Sequence, residues 1–177
     1  NDADMAHQMA EWGDIYINEA FAESHRVHSS VVALAKILPA YAGLNLEKEV
    51  RALTRVMQSP RRPVVIIIGG VKLETKLPMV QKFLRDADQV LVGGAVANAL
   101  LGKPRPVARP KLILPIDGSG RTVPYEDIGP KTIRLFAEIL VDAKTIVWNG
   151  PLGRAEKPRF ARGTKAIALV LQKSRAF

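Results

Sequence analysis

One local pattern constrains this chain more than any other: a short apolar run that stops at a turn residue, followed by a helical pattern. Val64–Ile68 leads into Gly69-Gly70, and Val90–Val92 leads into Gly93-Gly94. Thr145–Trp148 leads into Asn149-Gly150-Pro151, and Leu112–Ile116 ends at Asp117-Gly118. Runs that are apolar at successive positions read as strands buried on both faces, which is how parallel strands are written. Between them, Leu77, Val80 and Leu84 share one helical face, and so do Ile133, Phe136 and Leu140. Alternating strands and helices predict an α/β fold with a parallel sheet flanked by helices. Ligands of such sheets bind at the carboxyl ends of the strands, where the glycine-bearing turns fall.

The segment before residue 45 differs in character. It holds one short strand candidate, Ile15–Ile17, and a polar cluster of His25, Arg26, His28, Ser29 and Ser30. Residues 45–57 form an amphipathic helix, with Asn45 as candidate cap and Leu46, Val50, Leu53 and Met57 on one face. This helix and the Pro60/Pro63 stretch suit a hinge. The expected organisation is the end of one domain over 1–44, an interdomain helix and hinge over 45–63, and most of a second domain over 64–177.

An apolar share of 47% supports a sizeable core across 177 residues, and 24% charged residues argue against disorder. With no cysteine there is neither a disulfide framework nor a thiolate metal site, which suits a reducing cytoplasm. The longest apolar-leaning run, Val31 to Leu44, is broken by Lys36, Pro39 and Gly43 and falls short of a membrane span. The opening Asn-Asp-Ala-Asp has neither the basic nor the apolar part of a secretory leader, and the chain is expected to begin partway through a longer protein. The net charge of +9 points to an anionic partner. Cations gather between Lys103 and Lys111 and again between Arg154 and Arg175, while the aromatics are scattered. Single-strand binders interleave charge with stacking rings, so phosphate-bearing small ligands are the better match.

Three clusters could carry chemistry. In Gly69-Gly70-Val71-Lys72-Leu73-Glu74-Thr75-Lys76, two glycines let backbone N–H groups approach a ligand. Thr75 suits a helix N-cap, with Pro78 in the first turn and Lys76 at the helix start. A cation there opposes the macrodipole unless an anion sits between, as phosphate does. The alternative is two solvated lysines beside a tight turn. Asn149-Gly150-Pro151-Leu152-Gly153 with Glu156 offers an amide for hydroxyl or phosphate and a carboxylate for ribose, or else only connects strand to helix. Arg26 offers a guanidinium fork for carboxylate or phosphate, or else a surface ion pair.

Taken in order, these segments resemble the phosphoglycerate kinase family. The resemblance rests on Gly13-Asp14-x-Tyr16-x-Asn18-x-Ala20-Phe21, His25-Arg26-x-His28-Ser29-Ser30 and Gly69-Gly70-x-Lys72-x-x-x-Lys76. It continues through Gly93-Gly94, Leu114-Pro115-x-Asp117 and Asp127-Ile128-Gly129-Pro130. The last matches are Val147-Trp148-Asn149-Gly150-Pro151-x-Gly153-x-x-Glu156 and Gly163-Thr164.

The resemblance implies a two-domain kinase with a Rossmann-like nucleotide domain and an acyl-phosphate domain. It implies a cytoplasmic glycolytic phosphotransferase that moves a phosphoryl group between 1,3-bisphosphoglycerate and ADP, giving 3-phosphoglycerate and ATP. Arg26 would bind the phosphoglycerate side. Lys72 and Lys76 would be the catalytic cations, with Lys76 also contacting nucleotide. Gly93 and Gly94 would line the adenine pocket, Asn149 and Pro151 would border the nucleotide, and Glu156 would hold ribose. Mg²⁺ would accompany ATP or ADP, its protein ligand expected in a Gly-Gly-Gly-Asp loop beyond residue 177. The whole protein would be a monomer with neither nucleic acid nor membrane as partner.

The chain also departs from the family. The early N-terminal domain is not among these 177 residues, and the stretches Leu101–Lys111 and Gly118–Glu126 are short. Glu126 stands where an apolar residue near adenine is usual, and Ala95 replaces the third glycine of a triplet. These departures leave open a non-catalytic nucleotide- or phosphate-binding remnant, and the charge alone leaves open nucleic-acid binding.

Overall fold

The computed structural model describes residues 2–102 and 110–177. The Pro- and Arg-rich link with most of its cations lies at 103–109, outside the described residues. The chain divides into two compact units, residues 1–59 and residues 60–177.

The first unit opens with α1 (Ala3–Ala10), whose N-terminus is capped by Asp2, its Oδ1 accepting from the Met5 N–H at 3.1 Å. Strand β1 (Tyr16–Asn18) pairs in parallel with β2 (Ala40–Ala42), Tyr16 opposite Ala40. The expected strand at Ile15–Ile17 is therefore displaced by one residue. Between the strands run a 3₁₀ turn at Phe21–Glu23, a wide helical turn at Ser29–Ala33 and the short α2 (Leu34–Ile37).

Helix α3 (Leu44–Gln58) matches the amphipathic pattern, but Asn45 is not its cap. Gly43 occupies that position, and the Glu19 carboxylate accepts from the Asn45 N–H at 2.9 Å and the Leu46 N–H at 3.1 Å. A carboxylate satisfies two orphan donors and meets the positive helix end, so it displaces a local amide. The apolar stripe of α3 stays largely open, with Met57 74% exposed and no residue of the helix fully buried.

The second unit is a four-stranded parallel sheet ordered β5-β4-β3-β6, from β3 (Val64–Ile68), β4 (Gln89–Val92), β5 (Leu112–Ile113) and β6 (Thr145–Asn149). Alternate residues of β3 feed opposite cores, which is why the run is apolar throughout. Val64, Ile66 and Ile68 pack with Val80 of α4 (Leu73–Asp86) and Val96 of α5 (Gly94–Leu101). Val65 and Ile67 pack with Phe136 and Leu140 of α6 (Pro130–Asp142) and Ile167 of α7 (Arg162–Gln172).

The run expected as a strand over Leu112–Ile116 pairs for two residues only. Pro115 has no N–H to offer a ladder. The chain leaves the sheet there, and Asp117 caps α6 instead, its carboxylate accepting from the Lys131 N–H at 3.0 Å and the Thr132 N–H at 2.7 Å.

Candidate functional site

Three turns meet at the carboxyl ends of β3, β4 and β6, and backbone hydrogen bonds lock them together. The Gly69 N–H donates to the Asn149 carbonyl and the Gly70 N–H to the Pro151 carbonyl, both at 2.8 Å. The Gly94 N–H donates to the Leu152 carbonyl at 2.8 Å, and the Ala95 N–H reaches the Gly70 carbonyl at 3.2 Å. So close an approach leaves no room for side chains. A methyl group on Gly69 would overlap the Pro151 carbonyl, and one on Gly93 would lie 2.5 Å from a Leu152 methyl. Gly70, Gly94 and Gly150 have φ of 94°, 61° and 84°, the left-handed region where glycine is favoured.

Helix α4 leaves this cluster three residues earlier than the sequence suggests. Lys72 occupies the cap position with no side-chain cap, which leaves the N–H groups of the first turn without a capping side chain. Thr75, expected as the cap, lies inside that turn and donates its hydroxyl to the Lys72 carbonyl at 3.1 Å. Pro78 falls within the helix rather than in its first turn. Lys76 is the fourth helical residue, half-buried; burial first, and the Lys72 charge second, pull its ammonium below the ordinary lysine range. Two cations beside open N–H groups and a positive helix end call for an anion. Neither lysine has an ion-pair partner among the described residues.

The other expected residues are distributed around this core. Gly93 is buried and Gly94 half-buried at the start of α5, and Asn149 is the exposed last residue of β6 rather than part of a turn. Pro151 is half-buried in the turn that receives Gly70. Glu156 is exposed, its Oε1 3.5 Å from the Arg154 Nε. Arg26 belongs to the first unit, where its Nε lies 2.9 Å from Glu23, an exposed ion pair.

Sequence reasoning passed over the groups that brace the turns from behind. Thr164 accepts the Leu152 N–H at 3.0 Å. The buried Asp127 accepts from the Gly163 N–H at 2.8 Å and the Ile128 N–H at 2.9 Å, capping α7. Burial pushes its carboxyl above the ordinary carboxylate range despite the N–H groups of Gly163, Ile128 and Arg162. Gly153 and Gly163 both back onto this carboxylate. The only sequence signal was the presence of Asp127 and Gly163-Thr164 among the family-like segments, which carried no role. Among the described residues no group of three or more His, Cys, Asp or Glu side chains is arranged to hold a metal ion.

Glycine turns at the ends of parallel strands, with Lys72 at the cap and Lys76 on the first turn of the next helix, define an α/β protein of the parallel-sheet class. A model of the family described as phosphoglycerate kinase matches residues 1–106 and 108–177. The chain belongs to the phosphoglycerate kinase family. It is 39% identical over 213 residues to a phosphoglycerate kinase of Pelotomaculum thermopropionicum, covering 97% of this chain and 54% of that protein. The phosphoglycerate kinase structure from Pyrococcus horikoshii superposes with a TM-score of 0.84 at 30% identity, covering 100% of this chain and 57% of that one. The structure from Coxiella burnetii gives a TM-score of 0.77 at 30% identity, covering 99% and 56%. The chain spans about half the length of the curated relatives it matches. No helix among the described residues is long and apolar enough to cross a membrane.

Proposed function

We propose that this chain carries the nucleotide-side phosphate site of a phosphotransferase acting reversibly between 1,3-bisphosphoglycerate and ADP, giving 3-phosphoglycerate and ATP. The observation that carries this reading is the pair Lys72 and Lys76 at the uncapped start of α4, directly beyond the interlocked glycine turns. Phosphoryl transfer asks for positioning and charge stabilisation rather than a covalent nucleophile. The two ammonium groups and the α4 N–H groups would hold the phosphates and the charge that develops on the moving phosphoryl group.

On this reading Gly93 and Gly94 border the base, Asn149 and Pro151 border the nucleotide, and Glu156 accepts from ribose hydroxyls. Arg26 binds the phosphoglycerate end. The residues at the turns are cations, backbone and one amide, which do not compose a magnesium site, and Mg²⁺ would accompany the nucleotide. The working protein is read as a cytoplasmic monomer with neither nucleic acid nor membrane as partner.

The decisive experiment is thermal unfolding of the chain with and without millimolar Mg-ADP, beside Lys76→Ala. A midpoint that rises with nucleotide in the wild type and not in the variant supports the reading. No nucleotide effect in the wild type would refute it.

A second reading, a non-catalytic nucleotide- or phosphate-binding remnant, is favoured by one observation: the alignment runs over 213 positions while taking in 97% of this chain's 177 residues, so the relative carries internal segments that this chain lacks. Turnover in a coupled assay that depends on Lys76 and Arg26 would exclude it.

A further inference from the structure

In one charge cluster beside the site only Glu156 has a role in the reading above, while Arg154 and Glu126 have none. Arg154 lies just past the locked turn, and its guanidinium meets two carboxylates at once. Its Nη1 donates to Glu126 Oε2 at 3.0 Å and Oε1 at 3.3 Å, and its Nε lies 3.5 Å from Glu156 Oε1. The backbones of the anchor pair are joined as well, the Arg154 N–H donating to the Glu126 carbonyl at 2.9 Å. Glu126 is fixed in turn by Ser119, whose Oγ accepts from the Glu126 N–H at 3.0 Å and the Asp127 N–H at 2.8 Å.

Fold stability does not account for this cluster. The side chains are 46% exposed for Arg154, 40% for Glu126 and 67% for Glu156. Exposed pairs of this kind contribute little to stability. What the geometry does achieve is restraint, since a glutamate this exposed would otherwise sample many rotamers and lose that freedom on binding. A guanidinium held from one side by Glu126 presents a fixed cation to Glu156 on the other.

We propose that Arg154 is a positioning residue for Glu156, anchored by Glu126, and that it thereby favours nucleotides carrying free ribose hydroxyls. This rests on the reading that Glu156 accepts from ribose. The Nε of Arg154 meets one carboxylate oxygen, Oε1, and leaves Oε2 to accept from a vicinal diol. The Glu126 hydrogen bond and charge, followed by those of Glu156, raise the guanidinium above even its ordinary range, so the anchor stays charged at any working pH.

The test is calorimetric titration of the full chain with ADP and with 2′,3′-dideoxy-ADP, both with magnesium. The proteins compared are the wild type, Arg154→Met, Arg154→Lys, Glu126→Gln and Glu156→Gln. The wild type should prefer ADP, and Glu156→Gln should abolish the preference. Arg154→Met should weaken ADP by about fivefold, the size of one net hydrogen bond, and leave the dideoxy nucleotide unchanged. Glu126→Gln should move in the same direction, and Arg154→Lys should recover part of the loss.

If Glu156→Gln abolishes the preference while Arg154→Met retains it, or if Arg154→Met weakens both nucleotides equally, the positioning role is overturned and the ribose reading stands. A wild type that does not distinguish the two nucleotides, or binds neither, overturns the ribose reading and this proposal together. Unfolding midpoints without ligand should agree across the Arg154 and Glu126 variants, which separates lost positioning from lost folding.

Discussion

Replacing Asp127 by alanine is the sharpest test of how the glycine turns are held. The carboxylate is buried, with the residue 3% exposed, and accepts from the Gly163 and Ile128 N–H groups. Alanine leaves both donors buried with no acceptor. Each stranded buried group costs about 1–3 kcal/mol, so the loss should reach roughly 2–6 kcal/mol. For a unit of this size that corresponds to a midpoint lower by about 8–24 °C. The damage should also travel: α7 carries Thr164, which holds Leu152, whose carbonyl receives Gly94. Urea and thermal unfolding of the whole chain measure the first effect, and the ADP-induced rise in midpoint measures the second. A loss below about 1 kcal/mol would mean that the carboxylate does not brace α7, and the account of the site's rear wall would be wrong. The pH dependence gives an independent check. Burial raises the Asp127 carboxyl, so the native state keeps its proton to higher pH than the unfolded chain. The stability this proton contributes is full below the unfolded value and is lost as pH climbs through the raised native one. Asp127→Asn, which imitates the protonated form, should therefore close its gap to the wild type as pH rises.

Three further outcomes are expected. Gly150→Ala forces a side chain into the left-handed region at φ 84° and brings its methyl to 2.5 Å from the Gly69 carbonyl oxygen. It should cost at least about 1–2 kcal/mol in urea unfolding, and a change within about 0.5 kcal/mol would show that the turns are not locked. Lys76→Met should raise the ligand-free midpoint while abolishing the ADP-induced rise. Burial and Lys72 lower the Lys76 pKa, so its charge opposes folding below the native value, and that penalty fades as pH rises through it. A lowered ligand-free midpoint would contradict the picture of two opposed cations awaiting an anion. Phe136→Ala empties a fully buried position in the core beneath α6 and should cost about 3–5 kcal/mol by urea unfolding; a cost near 1 kcal/mol would place Phe136 outside a tightly packed core.

Much of the second unit can be read directly from the sequence. The run Val64–Ile68 is a strand over the same residues, and its continuous apolar character anticipates a sheet covered on both faces. The stripes of Leu77, Val80 and Leu84, and of Ile133, Phe136 and Leu140, do face the two cores. These features are local: period and turn chemistry are set within a few residues by backbone sterics and hydrophobicity. The glycine turns at strand ends were legible for the same reason, and so was the place of Lys72 and Lys76 just beyond one of them.

The caps were not legible, because the structure draws them from far away. Glu19 caps α3 from 26 residues back, Asp117 caps α6 from 15, and Asp127 meets α7 across 36. The local candidate Asn45 loses to Glu19, since a carboxylate satisfies two N–H donors where an amide satisfies one, whereas Thr75 is passed over because α4 starts before it, with no side-chain cap. The interlock of the three turns, and the grip of Glu126 on Arg154 across 28 residues, likewise exist only once the sheet is assembled. By itself the sequence determined which segments become strands, helices and glycine turns, because those choices are short-ranged. The tertiary structure decided which buried donors meet which acceptors, because that depends on which distant segments the parallel crossovers bring together.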